Sequence, residues 1–273
     1  MRCTGVPHPR LIPGAYGLCM VLDRPGGGRM AVPVSEGFTI EPGLADRWDG
    51  RADGWDEVAH SPAFTRFCAA ILTAAAIGPD AVVVDVGCGT GLVTLPAARM
   101  CRTAIGLDAS ATMLERLTEH ARAAGVENVS LIHGDMRRLP LPDASVDVVM
   151  SCYAFHHLTD DGKELAAAEA FRVLRPGGRM VTVDMMFRIS LAARDRRIVA
   201  SKVRLLLRAG PGGVVRLVRN AFRVATRRWE HPASLEWWSQ TLERRGFEDV
   251  RVEPLEHEAG LARAVKPSTL TPT

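Results

Sequence analysis

Between about residue 60 and residue 185, short apolar runs alternate with longer stretches whose apolar residues recur at helical spacing. Val82, Val83 and Val84 are apolar in consecutive positions, which predicts a parallel strand buried on both faces, and residues 92–100 read as the helix that follows it. Residues 103–107 and 129–132 predict two more strands. Between them lies a helix over residues 111–124, with Ser110 as its N-cap and Glu115 near its positive end. Upstream, Ser61 and Pro62 mark another helix start. Downstream, Thr159 opens a helix through Val173, Pro176-Gly177-Gly178 turns the chain, and residues 179–185 form a further strand. Residues 234–245 then read as a helix, with 247–252 and about 260–265 as two further strands. Residues 1–44 carry many Pro and Gly without clear periodicity and are expected to be irregular, with Met30 as an alternative start of translation; residues 266–273 are a short tail.

The strand ends carry the chemistry. Asp85-Val86-Gly87-Cys88-Gly89-Thr90-Gly91 places an acid and three glycines directly before a helix. Glycines let the backbone turn tightly and approach a ligand, and the helix start offers unpaired N–H groups. Asp108 ends the next strand about 20 residues past the glycines, where nucleotide-binding α/β folds place the acid that takes ribose hydroxyls. A third strand ends in Gly134-Asp135-Met136. Asp135 can accept from an exocyclic amine, and Met136 can offer an N–H and an apolar side chain to a purine. Three acids at three successive strand ends point to one adenosine-shaped ligand.

These residues resemble the class I S-adenosylmethionine-dependent methyltransferases, particularly the small-molecule group that includes the ubiquinone and menaquinone biosynthesis enzymes. Residues 82–92 are similar to that family's first motif, Gly106-Leu107-Asp108-Ala109-Ser110 with Met113-Leu114 to its second, and Gly134-Asp135-Met136 to its third. Asp147-Val148-Val149-Met150-Ser151, His156-His157-Leu158 and Val173-Leu174-Arg175-Pro176-Gly177-Gly178-Arg179 are similar to its fourth strand and the turn before its fifth. The resemblance implies a Rossmann-like, seven-stranded, mostly parallel sheet with an antiparallel end hairpin in a domain over residues 45–265. It also implies S-adenosylmethionine as cofactor, held by Asp85, Gly87, Cys88, Gly89, Gly91, Asp108, Ala109, Met113, Gly134, Asp135, Met136 and Ser151. In the family the aromatic-Asp segment around residues 46–56 folds over the cofactor. Trp55 and Arg51 are therefore candidates to cover the sulfonium and to bind the methionine carboxylate, although Trp48 and Trp55 serve equally as anchors of a surface helix.

A nicotinamide dehydrogenase uses G-x-G-x-x-G; here the third glycine comes one residue too early, and the loop has no phosphate-seeking basic residue. The six cysteines form no C-x-x-C pair, which argues for a reducing, cytoplasmic compartment and against a zinc site. No apolar run approaches the length of a membrane span. A formal net charge of +3 does not by itself imply nucleic-acid binding.

Methyl transfer from a sulfonium needs orientation, exclusion of water and sometimes a base. Tyr153, His156 and His157 follow the fourth strand of the motif series, at the edge where open α/β sheets place ligands, and an imidazole there can take a phenolic or enolic proton. A His-His-Leu at this point also serves the loop itself. The Asn/Asp-Pro-Pro-Tyr/Phe tetrapeptide of amide and amino-nitrogen methyltransferases is absent from the sequence, which favours oxygen or carbon acceptors. The same scaffold can instead use a bound cofactor in a cyclisation or rearrangement, or sense it without catalysis.

Residues 187–232 form a long insertion with twelve Arg and Lys and two acids. Its second helical segment sets Val214, Val215, Val218, Phe222 and Ala225 on one face and Arg216, Arg219, Arg223 and Arg227 on the other. Three readings stand: a lid whose apolar face covers a lipophilic acceptor, a basic amphipathic helix on an anionic membrane, and a solvated face of a packed helix.

Overall fold

The structure, a computed structural model, describes residues 10–14, 17–23, 29–34, 52–59, 61–188, 193–208, 210–212, 214–215, 218 and 231–268. The elements are β1 (Arg10–Gly14), β2 (Gly17–Asp23), β3 (Arg29–Val34), α1 (Ala52–Ala59), α2 (Pro62–Ala75), β4 (Val82–Val86), α3 (Thr94–Ala98), β5 (Thr103–Asp108), α4 (Ala111–Ala123), β6 (Val129–His133), β7 (Val146–Cys152), α5 (Asp160–Val173), β8 (Leu174–Met185), α6 (Ala193–Arg208), α7 (Leu235–Arg244), β9 (Glu248–Pro254) and β10 (Ala259–Val265). The sheet runs β1-β2-β3-β6-β5-β4-β7-β8-β10-β9. Strands β4 to β8 are parallel, and β10 returns antiparallel between β8 and β9.

The seven strands from β6 to β9 are the Rossmann-like sheet that the sequence implies. The chain leaves central β4 for β5 and β6 on one side, then crosses back to β7 and β8 on the other. That reversal opens a crevice at the carboxyl ends of β4 and β7. Consecutive burial follows from the two-sided packing of β4. Val83 joins a core with Phe67, Ile71, Ala97, Ala104 and Leu117 under α2 to α4. Val84 joins the opposite core with Ala167, Val173, Trp238 and Leu242 under α5 and α7.

The helix starts follow local chemistry. The hydroxyls of Ser110, Thr159 and Ser234 accept from the amides of Met113, Gly162 and Trp237. Ser61 sits at the N-cap of α2 without such a bond, and Pro62 occupies its first turn. The helix read over 92–100 is shorter, since α3 spans only Thr94–Ala98.

The amino-terminal stretch expected to be irregular instead contains an antiparallel meander. β1 pairs with β2 and β2 with β3, and β3 meets β6 in parallel at Val34 and His133. Apolar runs such as Leu18-Cys19-Met20-Val21-Leu22 supply these strands, and Pro13, Gly14, Gly17 and Pro33 lie within them.

Candidate active site

A cleft opens at the carboxyl edge of the sheet, lined among others by Trp55, Asp85, Gly87, Asp108, Met136, Tyr153 and His157. Its floor is the loop between β4 and α3. Gly87 has φ +71°, and a Cβ there would come within 2.3 Å of Ala154 Cβ, on the loop that follows β7. Gly91 has φ +99°, and its Cβ would meet Leu117 Cδ1 at 2.2 Å. Gly91 therefore lets the loop pack on α4 and does not line the cleft.

Two carboxylates flank this loop, Asp85 buried and Asp108 half-buried. Asp108 Oδ2 accepts from the Gly89 amide at 2.8 Å and Oδ1 from the Ser110 amide at 2.9 Å. Burial pushes its carboxyl above the ordinary range, opposed by those backbone bonds. With the Ala109 amide as a third donor, the carboxylate still has acceptor capacity for a ribose hydroxyl. Asp85 Oδ2 accepts from Thr94 Oγ1 at 2.6 Å, while its buried Oδ1 has no hydrogen-bond partner. Burial raises the Asp85 carboxyl to about 7, with the Thr94 hydrogen bond opposing and the Asp108 charge adding to the rise. Asp108 thus holds the glycine loop, and Asp85 anchors the start of α3.

A buried carboxylate oxygen aimed at a cleft and short of a donor calls for a cation, and an α-ammonium group fits it. Binding such a group requires ionised Asp85, so affinity should rise with pH, nearly tenfold per unit well below pH 7, and level off above it. Asp85→Asn should flatten that profile in calorimetric titrations. In the ligand-free protein the sign is opposite. The native carboxyl titrates about 7 and the unfolded one 3.8, so the group's favourable contribution to folding is lost as pH rises across that window.

Cys88, Ala109, Met113, Gly134 and Met136 all line the cleft. Burial raises the Cys88 thiol well above its ordinary value. Asp135 also borders it, but its carboxylate already takes the Arg137 amide, Nε and Nη2 at 2.5–3.0 Å. The expectation that Asp135 receives an exocyclic amine is thereby weakened in favour of backbone groups of the same loop. Ser151 departs from expectation too: its hydroxyl donates to the Val86 carbonyl at 2.9 Å, tying β7 to β4, and it does not line the cleft. Trp55 both lines the cleft and packs edge-on against Phe64 at 5.4 Å, so covering and anchoring coincide. Arg51 and Trp48 lie outside the described residues.

The loop after β7 separates the three residues proposed for catalysis. Phe155 is fully buried and packs edge-on against Trp238 at 5.1 Å, pinning a 3₁₀ turn over Phe155–His157. Tyr153, at φ +56°, and His157 border the cleft. His156 does not. It is buried, with Nδ1 2.6 Å from Asp184 Oδ1, while Asp184 Oδ2 accepts from the Phe155 and His156 amides. Burial pushes the Asp184 carboxyl up, yet the His156 charge and hydrogen bond with the Met185 amide outweigh it and hold it below the usual range. His156 is therefore a structural anchor. Burial keeps the Tyr153 hydroxyl protonated, so it can donate but not act as a base at neutral pH.

Sequence reasoning missed Thr94 and Asp184. Asp184 lies one residue before the end of β8, directly after Val181-Thr182-Val183, as Asp85 does in β4, so the rule that picked out Asp85 and Asp108 would have found it. Among the described residues there is no cluster of metal-ligating side chains.

A family profile described as "Methyltransferase domain" matches residues 83–178, which span β4 to the turn within β8. Uncharacterised methyltransferases from Geobacillus sp. (strain WCH70) and Geobacillus thermodenitrificans (strain NG80-2) are each 33% identical, over 144 and 151 residues. Those matches cover 53% and 55% of this chain and 65% and 67% of theirs. The chain belongs to the class I S-adenosylmethionine-dependent methyltransferases. The cofactor of this methyltransferase family is S-adenosylmethionine. Its chain spans about two thirds of the length of those two relatives. The solved structure of the [4+2]-cyclase SpnF shares the fold, with TM-score 0.61 and 18% identity over 83% of this chain and 96% of that one.

Proposed function

We propose that this methyltransferase moves a methyl group to an oxygen or carbon atom of a small, apolar acceptor that enters beside Tyr153 and His157. The single observation that carries the reading is the make-up of the cleft beyond the two carboxylates. Its wall there is Trp55, Cys152, Tyr153, Ala154 and Leu158, with His157 as the imidazole bordering it. Such a wall excludes water and favours apolar surface.

In this reading Asp108 takes the ribose hydroxyls, Asp85 the ammonium group, and Gly87 and Gly89 admit the ligand backbone-close. Ala109, Met113, Gly134 and Met136 face the purine. When bound, S-adenosylmethionine supplies a sulfonium methyl whose leaving group is neutral. The chain's own work is then to orient the acceptor, keep water out and, for a phenol or enol, receive its proton at His157. Tyr153 can donate a hydrogen bond to the acceptor oxygen.

Only part of the insertion read as a lid lies within the described residues. Val214, Val215 and Val218 are exposed rather than folded over the cleft, and Phe222 lies outside the described residues. Helix α6 takes the packing position instead, because it follows β8 directly: Ile198 packs with Met185 and Phe187 against Tyr153. Arg194 fixes it by donating to the Met186 and Ala259 carbonyls.

Incubation with S-adenosylmethionine and a panel of phenols, enolisable ketones and isoprenoid quinols tests the proposal by mass spectrometry. Acceptor-dependent S-adenosylhomocysteine supports it. A converted acceptor with no S-adenosylhomocysteine would instead indicate a cyclisation or rearrangement, and cofactor binding without turnover of any acceptor a sensor. With an active acceptor, His157→Ala should lower kcat by about 10²–10⁴-fold while leaving cofactor affinity within about twofold.

A further inference from the structure

Residues 187–232 hold twelve basic residues and two acids, so the chain's formal charge of +3 divides into +10 here and −7 elsewhere. On α6 the side turned from the protein carries Arg196, Arg197, Arg204, Leu207 and Arg208, all exposed, whereas the helix's one acid, Asp195, is buried. Among the described residues none of these four arginines is in an ion pair with a carboxylate. Leu207 is 53% exposed, and beyond α6 Val214, Val215 and Val218 are 44%, 65% and 65% exposed. An exposed leucine among unpaired arginines, followed in the chain by three exposed valines, matches the headgroup and acyl layers of a lipid surface.

We infer that this face docks on an anionic lipid bilayer. The arginines meet lipid phosphates, and Leu207 with the three valines enters the acyl boundary. Nucleic acid fits less well, because among the described residues no exposed aromatic side chain on this face offers a base a stacking partner. An acidic protein surface would pair the arginines but leave the aliphatics in water. The opposite side of α6 carries Ile198 against Met185, Phe187 and Tyr153, so the docked face lies one helix thickness from the acceptor cleft. The proposed apolar acceptor would then reach the cleft from the bilayer, a link that rests on the functional reading above.

Sedimentation with vesicles tests the docking without any acceptor, so its failure is distinguishable from failure of the proposed methylation. Full-length protein is mixed with vesicles of about one third phosphatidylglycerol in phosphatidylcholine, or with phosphatidylcholine alone, at about 50 mM and about 500 mM salt. The expected result is at least about tenfold stronger partitioning to the anionic vesicles at low salt, lost to a similar extent at high salt. Replacing Arg196, Arg197, Arg204 and Arg208 by Gln should abolish partitioning. A second variant, Leu207→Ser with Val215→Ser and Val218→Ser, should weaken it at least about tenfold. Unchanged circular dichroism and S-adenosylmethionine affinity establish that both variants are folded. No partitioning by the wild type, equal partitioning to both vesicle types, or unaltered partitioning by the folded arginine variant overturns the proposal. So does tighter binding to a single-stranded RNA oligonucleotide, or a dimer in sedimentation velocity that the arginine variant dissolves.

Discussion

Gly87→Ala is expected to weaken S-adenosylmethionine binding by at least about a hundredfold, equivalent to about 3 kcal/mol. Two costs combine. A side chain at φ +71° is strained, and the new methyl would lie 2.3 Å from Ala154 Cβ, so the glycine loop or the Tyr153–His157 loop must move. Both loops border the cleft, and neither movement leaves it intact. Gly125→Ala is the control. Gly125 has a similar φ of +63° with nothing within 4 Å of its Cβ, so that variant should cost only about 1 kcal/mol of stability and leave cofactor affinity unchanged. Calorimetric titration and thermal unfolding of the two variants separate strain from collision. Equal affinities would remove the glycine loop from the site.

Asp108→Ala should weaken the same cofactor by about 1.5–3 kcal/mol, the range for loss of a charge-assisted hydrogen bond. The geometry places the result toward the upper end, because the carboxylate also holds the Gly89 amide at 2.8 Å and the variant loses both functions. Asp108→Asn distinguishes them. An amide oxygen can still accept from Gly89 but takes only part of the hydroxyl pair, so its loss should be intermediate. Unchanged affinity in Asp108→Ala by calorimetry would move the ribose site away from the end of β5.

The sheet was legible because β4 and β5 are short apolar runs with an acid at or next to their ends, and because two-sided burial makes β4 apolar in consecutive positions. The Ser110 cap was legible for the same local reason, whereas Ser61, read the same way, makes no capping hydrogen bond. Side-chain direction was not. Ser151 and His156 lie at the expected place in the chain, yet one turns to the Val86 carbonyl and the other to Asp184, partners 65 and 28 residues away. Asp135 likewise faces the cleft but is taken up by Arg137 two residues on. Periodicity places residues on faces and carries no information on such pairings. For the insertion, α6 sets Ile198 beside Tyr153 at the cleft edge, and most of the second segment lies outside the described residues.

The central claim is that the crevice over β4, β5 and β6 takes S-adenosylmethionine. Calorimetric titration of the wild-type protein with S-adenosylmethionine, and separately with a nicotinamide dinucleotide, tests it most directly. The account predicts one saturable site per chain for S-adenosylmethionine, with the melting temperature raised by several degrees at about a hundred times Kd, and neither effect for the dinucleotide. Saturable binding of the dinucleotide, with none for S-adenosylmethionine, would contradict it.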